Sequence, residues 1–229
     1  MITADLNRLN LQPGQRLLDI GCGNGRHTAE AYRLKGVLAV GADLNIEDLK
    51  QARERLQFHD RLGEHGGGRW YLSTADVRRL PFPGAHFHAV ICSEVMEHIP
   101  EHHRAVDELV RVLKPGGHLV VSVPRYFPER ICWALSREYH QANQGHVRIY
   151  RKKRLIRMIA NTGLSLYRVH YAHSLHSPYW WLKCLVGPTR KDSTAVNLYH
   201  RFLTWDILHH PRLTRQLDRF LNPILGKSL

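Results

Sequence analysis

The chain has 229 residues, of which 43% are hydrophobic and 23% charged, a composition that excludes a disordered protein and is typical of a folded soluble one. No charge-free apolar stretch approaches the roughly 20 residues of a membrane-spanning helix, which excludes an integral membrane protein. The formal net charge of +13 is uneven: residues 1–145 hold 18 basic and 17 acidic side chains, whereas residues 146–229 hold 15 and 3, which predicts two regions with separate roles.

Apolar, β-rich runs alternate with helical patterns through the first part of the chain. The predicted strands are 16–21, 36–43, 69–76, 87–94 and 118–124. Helices are predicted between them, one over 45–58 with Asn45 as its N-cap and one over 101–113 that is stopped by "KPGG". This order predicts right-handed crossovers and a mostly parallel sheet with helices on both faces.

The second part of the chain is less regular. Residues 126–145 follow the fifth strand and are a candidate lid, because substrates enter open α/β sheets at the carboxyl ends of the strands. Tyr126, Phe127 and Trp133 in this segment either wall an acceptor pocket or pack over the sheet edge. A helix is predicted over 150–161, a strand over 164–172 and a further helix in "STAVNLYHRFLTWDILHH".

The stretch "LLDIGCGNG" places three glycines in five positions after the first strand. Gly21, Gly23 and Gly25 allow positive φ angles and let a ligand approach the main chain, so they indicate either a nucleotide-type cofactor site or a tight strand–helix turn. Asp43 follows Gly21 by 22 residues and closes the second strand, where a carboxylate can bind both hydroxyls of a ribose. Asp76 closes the third strand, which favours the cofactor interpretation.

These segments resemble the class I S-adenosylmethionine-dependent methyltransferases. The likeness rests on five motifs in order, "LLDIGCGNG", "GADLN", "STADVRRLPF", "FHAVICSEVMEHI" and "LVRVLKPGGHLVVSVP", and covers about residues 14–172. It implies a Rossmann-like, doubly wound sheet of seven strands and S-adenosylmethionine as the cofactor. The GxGxG spacing differs from the GxGxxG of dinucleotide oxidoreductases, which makes that class a poor second.

The resemblance also implies roles for individual residues. The three glycines would lie against the cofactor, with Asp19 near its methionine ammonium group and Asp43 on its ribose. Asp76 would bind the adenine amino group, and Ser93 and Glu94 would line the methionine side. The full set of predicted cofactor-binding residues is Asp19, Gly21, Gly23, Gly25, Asp43, Leu44, Asp76, Val77, Ser93 and Glu94.

The family's sheet ordinarily ends in an antiparallel hairpin of strands six and seven. Here 57 residues follow the predicted sixth strand before the sequence stops, so we expect strand seven to be a stub or to lie beyond Leu229. We accordingly predict a cofactor-binding domain over 1–172 and a helical, basic and aromatic extension over 173–229.

Two histidines are candidate catalytic residues. His98 follows "VME" and would lie near the transferred methyl group, where it would act as a base or cap its own short helix. His146 resembles a histidine that follows the lid in small-molecule members of the family, and would contact the substrate or anchor the next helix. No metal site is predicted, because the remaining histidines lack carboxylates or cysteines at ligand spacing.

The composition of the basic extension is compatible with several kinds of partner. Tyr179, Trp180, Trp181 and Trp205 lie beside Lys183 and Arg201, which suits an anionic membrane surface, single-stranded RNA, or a small core or oligomer contact. The NPPY-like signature of nucleic-acid base methylators is absent, so RNA is less favoured.

The sequence therefore predicts a cytoplasmic methyltransferase, peripheral to a membrane in one interpretation. Its acceptor would be small and hydrophobic, such as a quinone precursor or lipid, and methylation at oxygen is favoured over carbon or nitrogen. The alternatives are an RNA methyltransferase and a non-catalytic partner protein that binds the cofactor.

Overall fold

The structure, a computed structural model, describes residues 2–141, 145–209 and 211–229. The chain forms two compact units, Met1–Ser122 and Val123–Leu229, described here as unit 1 and unit 2. This division by packing lies earlier in the chain than residue 173, where the extension was predicted to begin; that functional boundary stays a prediction.

Unit 1 contains the parallel sheet that the sequence predicts. Its strands are β1 (Arg16–Ile20), β2 (Leu38–Asp43), β3 (Arg69–Thr74), β4 (Phe87–Ser93) and β5 (Leu113–Ser122). Their order is β3-β2-β1-β4-β5, and every neighbouring pair is parallel. The order reverses between β1 and β4, so the carboxyl end of β1 is the switch point at which such sheets bind ligands.

The helices of unit 1 are α1 (Arg26–Tyr32), α2 (Ile46–Leu62) and α3 (His102–Val112), with short 3₁₀ helices at Leu6–Leu9 and Met96–His98. The Asn45 side chain caps α2 by accepting the N–H of Glu47, as the sequence predicts. The helix continues past the predicted residue 58 and ends at Gly63, which has φ 66°.

The core of unit 1 consists of aliphatic side chains on both faces of the sheet. Leu17, Leu18 and Ile20 of β1 and Ile91 of β4 are at most 1% exposed. Because central parallel strands are covered on both sides, consecutive residues are buried and the strands appear in the sequence as continuous apolar runs. This packing fixes the position of the loop that follows β1.

Unit 2 is mainly helical. Its helices are α4 (Tyr126–Leu135), α5 (Arg137–Gln141), α6 (Lys152–Ala160), α7 (His176–Val186), α8 (Thr194–His209) and α9 (Arg212–Leu225). The expectation of an irregular segment over 126–145 was wrong for the part that is described, since α4 and α5 occupy most of it. Tyr126 and Arg151 make a cation–π contact of 5.1 Å, and Trp133 donates to Glu129, so these aromatic side chains have packing roles within the unit.

The seven strands implied by the resemblance are not all present: the sheet has five strands in the ranges that the structure describes. Segment 164–172 was predicted as a strand but pairs only through Ala172, which forms an antiparallel bridge with Ser228; Ser228 in turn bridges Pro124. A strand needs a neighbour with which to exchange hydrogen bonds, and in the part of the chain that the structure describes residues 227–229 provide only isolated bridges to this segment. The position of strand seven stays a prediction.

A buried charged network holds unit 2 together. Glu129 is fully buried, and its carboxylate accepts hydrogen bonds from Lys227 Nζ at 2.6 Å and from His146 Nδ1 at 2.5 Å. The indole of Trp133 donates to it at 3.2 Å. Burial raises the pKa of Glu129, but the hydrogen bonds and charges of His146 and Lys227 outweigh it and lower the pKa to about 2.

Replacing Glu129 with alanine should lower the free energy of unfolding by roughly 3–5 kcal/mol, because a buried Lys227 ammonium is left without its partner. Asp192→Ala, which removes an exposed ion pair with Arg190, is the control and should leave the free energy of unfolding nearly unchanged, because solvent screens exposed ion pairs. Urea unfolding followed by tryptophan fluorescence reports mainly on unit 2, because four of the five tryptophans lie there.

Because the pKa of Glu129 is lowered in the folded protein, the free energy of unfolding should fall as the pH is lowered. The stabilisation that Glu129 provides should be complete above the ordinary value of 4.5 and should disappear as the pH falls toward about 2. Equal acid sensitivity of the parent protein and Glu129→Ala would contradict this role.

Candidate functional site

The loop after β1 contains the three predicted glycines, which have different structural roles. Gly21, Gly23 and Gly25 have φ angles of 67°, 50° and 76°, a region that other residues rarely adopt. A Cβ atom on Gly21 would lie 2.2 Å from Val95 Cγ2, and one on Gly25 would lie 2.8 Å from Ala52 Cβ. At Gly23 a Cβ would meet nothing within 4 Å. Only Gly23 therefore borders open space in which a ligand could lie against the main chain.

Asp43, at the end of β2, is tied to this loop. Its Oδ2 accepts the N–H of Gly23 at 2.8 Å, and its Oδ1 accepts the N–H of Asn45 at 2.9 Å. A carboxylate offers about four acceptor positions, so further positions remain for two ribose hydroxyls. The adjacent Leu44 is 58% exposed and provides an apolar surface beside the carboxylate. This arrangement fits an adenosine.

Asp19 lies beneath the loop and is only 1% exposed. Its Oδ2 accepts a hydrogen bond from the Thr28 hydroxyl at 2.7 Å. Burial raises the pKa of the Asp19 carboxyl to about 6, although the hydrogen bond from Thr28 opposes the change. A cation bound nearby would favour the ionised form, which is the property expected of a partner for the methionine ammonium group.

The Asp76 carboxylate forms hydrogen bonds with Arg78, a partner that the sequence did not predict. The carboxylate accepts from the Arg78 guanidinium, with a shortest distance of 2.6 Å from Oδ2 to Nη2, and also from the Arg78 main-chain N–H at 2.8 Å. The hydrogen bond from Arg78 holds the pKa of Asp76 below its ordinary value. Val77 beside it is buried. A contact between Asp76 and adenine stays a prediction, and it would compete with Arg78.

Ser93 and Glu94, at the end of β4, belong to a hydroxyl network. Ser93 Oγ lies 2.5 Å from Thr3 Oγ1 and 2.8 Å from Ser122 Oγ, and Ser122 Oγ donates to Glu94 Oε1 at 3.0 Å. Glu94 has φ 56°, a strained conformation for a residue other than glycine, and such strain is concentrated at functional sites. The network brings the ends of β4 and β5 together with the N-terminal segment.

Sequence analysis missed three residues of this region: Thr3, His27 and Ser122. His27 Nε2 accepts the main-chain N–H of Thr3 at 3.0 Å, which places the buried Thr3 over the start of α1. Thr3 precedes the first strand and carries no motif, so only the fold reveals it. Ser122 closes the fifth predicted strand, and strand-terminal polar residues were a usable signal.

The two candidate catalytic histidines lie in different units. In unit 1, His98 is half-exposed in the 3₁₀ helix, with Nε2 3.9 Å from Oε1 of the buried Glu97. In unit 2, His146 is bonded to Glu129, a partner that sequence analysis did not identify. The hydrogen bond to Glu129 orients His146, and the catalytic role of both histidines stays a prediction.

Comparison with known proteins agrees with this geometry. The family model described as a methyltransferase domain matches residues 2–169. The chain belongs to this family.

Individual relatives cover less of the molecule. The chain is 33% identical over 113 residues to the 27-O-demethylrifamycin SV methyltransferase of Amycolatopsis mediterranei, which is 49% of this chain and 40% of that protein. It is 34% identical over 112 residues to the ubiquinone/menaquinone biosynthesis C-methyltransferase of Vibrio parahaemolyticus, 48% and 41% respectively. The chain thus spans about two-fifths of the length of these relatives.

A solved structure of a candidate methyltransferase from Bacillus halodurans shares the fold with a TM-score of 0.62 and 22% identity, over 80% of this chain and 77% of that one. The α/β methyltransferase fold predicted from the motifs is confirmed, and the family and fold together imply S-adenosylmethionine as the cofactor.

Gly23→Ala should weaken binding of S-adenosylhomocysteine at least tenfold, because the new methyl group would occupy the open space beside the loop. Gly63→Ala is a matched control: Gly63 also has a positive φ of 66° and open space, but it ends α2. Both variants should lose about 1–2 kcal/mol of stability from the left-handed backbone. Calorimetric titration and thermal unfolding measure the two effects, and equal affinities of the two variants would contradict this assignment.

Cofactor affinity should rise with pH between about 5 and 7, because the Asp19 pKa of about 6 means that binding an ammonium group displaces a proton. Titrations in buffers of different ionisation enthalpy should show proton release near pH 6. Asp19→Asn keeps an acceptor for Thr28 and should abolish the release. Unchanged proton release in that variant would assign it to another group.

Proposed function

We propose that this protein transfers a methyl group from S-adenosylmethionine to an oxygen atom of a small hydrophobic acceptor. The observation that carries the proposal is the loop at Gly23, whose N–H is held by Asp43 while its α-carbon borders open space. The Asp43 carboxylate has acceptor positions for the ribose hydroxyls, and the adjacent Leu44 side chain is exposed and can pack on the adenine. The family match supports the reaction class.

The bound cofactor would supply a sulfonium methyl group. In the transfer the S–CH₃ bond breaks as the O–CH₃ bond forms, the sulfur leaves as a neutral thioether, and the hydroxyl proton of the acceptor passes to a base. Correct placement of the two reactants supplies much of the rate enhancement. A base is needed when the acceptor is a weak acid such as a phenol or alcohol.

The pairing of His146 with Glu129 supports an acceptor of this kind. Because the Glu129 carboxylate accepts from Nδ1, the neutral imidazole has its lone pair on Nε2, the atom that takes up a proton. The carboxylate also stabilises the imidazolium that results. We infer that His146 is the base and Glu129 its positioning residue; His98, beside Glu97, is the second candidate.

A hydrophobic acceptor is supported by the aromatic side chains of unit 2. Phe127 on α4 is 56% exposed, and Trp180 and Tyr139 have ring centroids 5.9 Å apart next to His146. One relative described above is named as a C-methyltransferase and the name of the other states a 27-O-demethyl substrate, so similar proteins do not decide between carbon and oxygen as the acceptor atom. The choice of oxygen is part of the proposal.

The proposal is tested with isotopically labelled S-adenosylmethionine and a fractionated lysate. Label should enter a low-molecular-weight, organic-soluble fraction, and the carbon chemical shift of the methyl group should be that of a methyl ether. Asp43→Ala should weaken cofactor binding by roughly 1.5–3 kcal/mol, the contribution of charge-assisted hydrogen bonds. Label in RNA would favour the nucleic-acid alternative, and cofactor binding without any labelled product would favour the non-catalytic one.

His146→Asn and Glu129→Gln separate catalysis from structure. Loss of kcat with little change in KM, together with a shifted pH profile in Glu129→Gln, is expected if the pair acts on the acceptor proton. If activity falls only in proportion to the amount of folded protein, the His146–Glu129 pair contributes to stability alone.

A further inference from the structure

Helix α9 has its apolar side on the outside. Leu213, Leu217, Phe220 and Ile224 recur at i, i+4, i+7 and i+11, which places them along one face of the helix, and they are 76%, 43%, 74% and 59% exposed. A helix that packs on a core buries such a face. We call these four residues the α9 stripe.

The opposite side of α9 is attached to unit 2 mainly through polar groups. Asp218 accepts from the hydroxyl of Ser174 and from the N–H of Leu175, while the Asn222 side chain accepts the N–H of Ser174 at 2.9 Å. The guanidinium of Arg125 donates to the carbonyls of Asn222 and Pro223 at 3.1 and 2.7 Å. The helix is therefore fixed in an orientation that leaves the α9 stripe in contact with solvent.

Helix α8 also exposes apolar side chains on one of its faces. Val196 and Leu203 are buried, whereas Leu198, Phe202 and Trp205 lie on another face and are 66%, 38% and 45% exposed. The ring of Trp205 stacks on that of Phe202 at 6.1 Å. Consecutive helices that both expose apolar stripes are unusual in a soluble protein and mark an interaction surface.

The charges on these helices indicate the partner. Arg212, Arg215 and Arg219 of α9 are exposed, and in the described ranges none of them forms an ion pair. Asp218, the one acid of α9, is turned inward toward Ser174. A symmetric contact with a second copy through α9 would bring arginines together without acids. Three of the four residues of the α9 stripe are aliphatic, so they provide no rings on which the bases of RNA could stack. Aliphatic residues with arginine and tryptophan suit an anionic bilayer, where chains enter the acyl region and cations meet phosphates.

We propose that the exposed faces of α8 and α9 dock this protein on an anionic lipid bilayer, with the α9 stripe inserted at the level of the acyl chains. Trp205 would lie at headgroup depth, where indole rings are enriched. In the ranges that the structure describes, none of the helices has the length and hydropathy that crossing a bilayer requires. The attachment is thus interfacial, and it rests on unit 2 alone, independently of the methyl-transfer proposal.

Flotation of the full chain with vesicles tests this proposal. The protein should float with vesicles of phosphatidylcholine mixed with phosphatidylglycerol, and not with phosphatidylcholine alone. Leu213→Ser/Phe220→Ser should reduce the partition coefficient at least tenfold. Phe58→Ser/Leu62→Ser is the matched control, since these side chains are 52% and 53% exposed on α2 and should be neutral. The removed side chains are solvent-exposed, so melting temperatures should stay unchanged in both variants.

A second variant tests the charge contribution. Arg212→Gln/Arg215→Gln/Arg219→Gln should lower binding to the anionic vesicles by about a hundredfold, given the usual contribution of each basic residue near a charged membrane. The proposal is overturned if the parent protein binds neither vesicle, if the α2 control loses as much binding as the stripe variant, or if the stripe variant instead dissociates a dimer or releases RNA.

Discussion

The hydrogen bond from the Gly23 N–H to the Asp43 carboxylate is the interaction on which the candidate site depends. It joins the loop after β1 to the end of the neighbouring strand β2 at 2.8 Å, beside the point between β1 and β4 where the sheet order reverses. The parallel sheet brings the two residues together, and the tight packing of Gly21 on Val95 and of Gly25 on Ala52 holds the loop in place. Because hydrogen bonds from the main chain already fix the Asp43 side chain, little of its conformational entropy is lost when a ligand binds the remaining acceptor positions.

The two units reach stability by opposite means. Unit 1 buries continuous apolar strands, whereas unit 2 depends on a buried carboxylate with several donors and on polar bonds from α9 to the segment at 174–177. Buried ionic networks are costly to desolvate and retain their geometry only when all partners are present. The polar attachment of α9 explains how unit 2 can leave aliphatic residues exposed: they are not needed for its core.

Much of unit 1 could be predicted from the sequence because its signals are local. Apolar runs gave the first four strands to within two residues, and the glycine spacing and Asp43 located the loop. The fifth strand begins at Leu113, five residues before the predicted start, because it includes the "KPGG" segment that was predicted only to stop the helix. What the sequence could not give are contacts between distant segments, such as Thr3 with Ser93 and Glu129 with Lys227. The hydrogen bonds from Arg78 to Asp76 are local, but the sequence does not show which partner that carboxylate takes. The prediction of a strand over 164–172 was wrong, because a strand-like pattern in the sequence does not show whether a neighbouring strand is available for pairing. The same limit applies to the α8 and α9 faces, since aromatic and basic composition did not reveal which side of each helix is exposed.

The most direct test of the account is a crystal structure of the protein with S-adenosylhomocysteine. The account predicts both ribose hydroxyls within hydrogen-bonding distance of Asp43, the adenine beside Leu44, and the amino-acid part passing over Gly23. A complex in which the ligand binds elsewhere, with Asp43 directed to solvent and the space beside Gly23 filled by protein side chains, would contradict it.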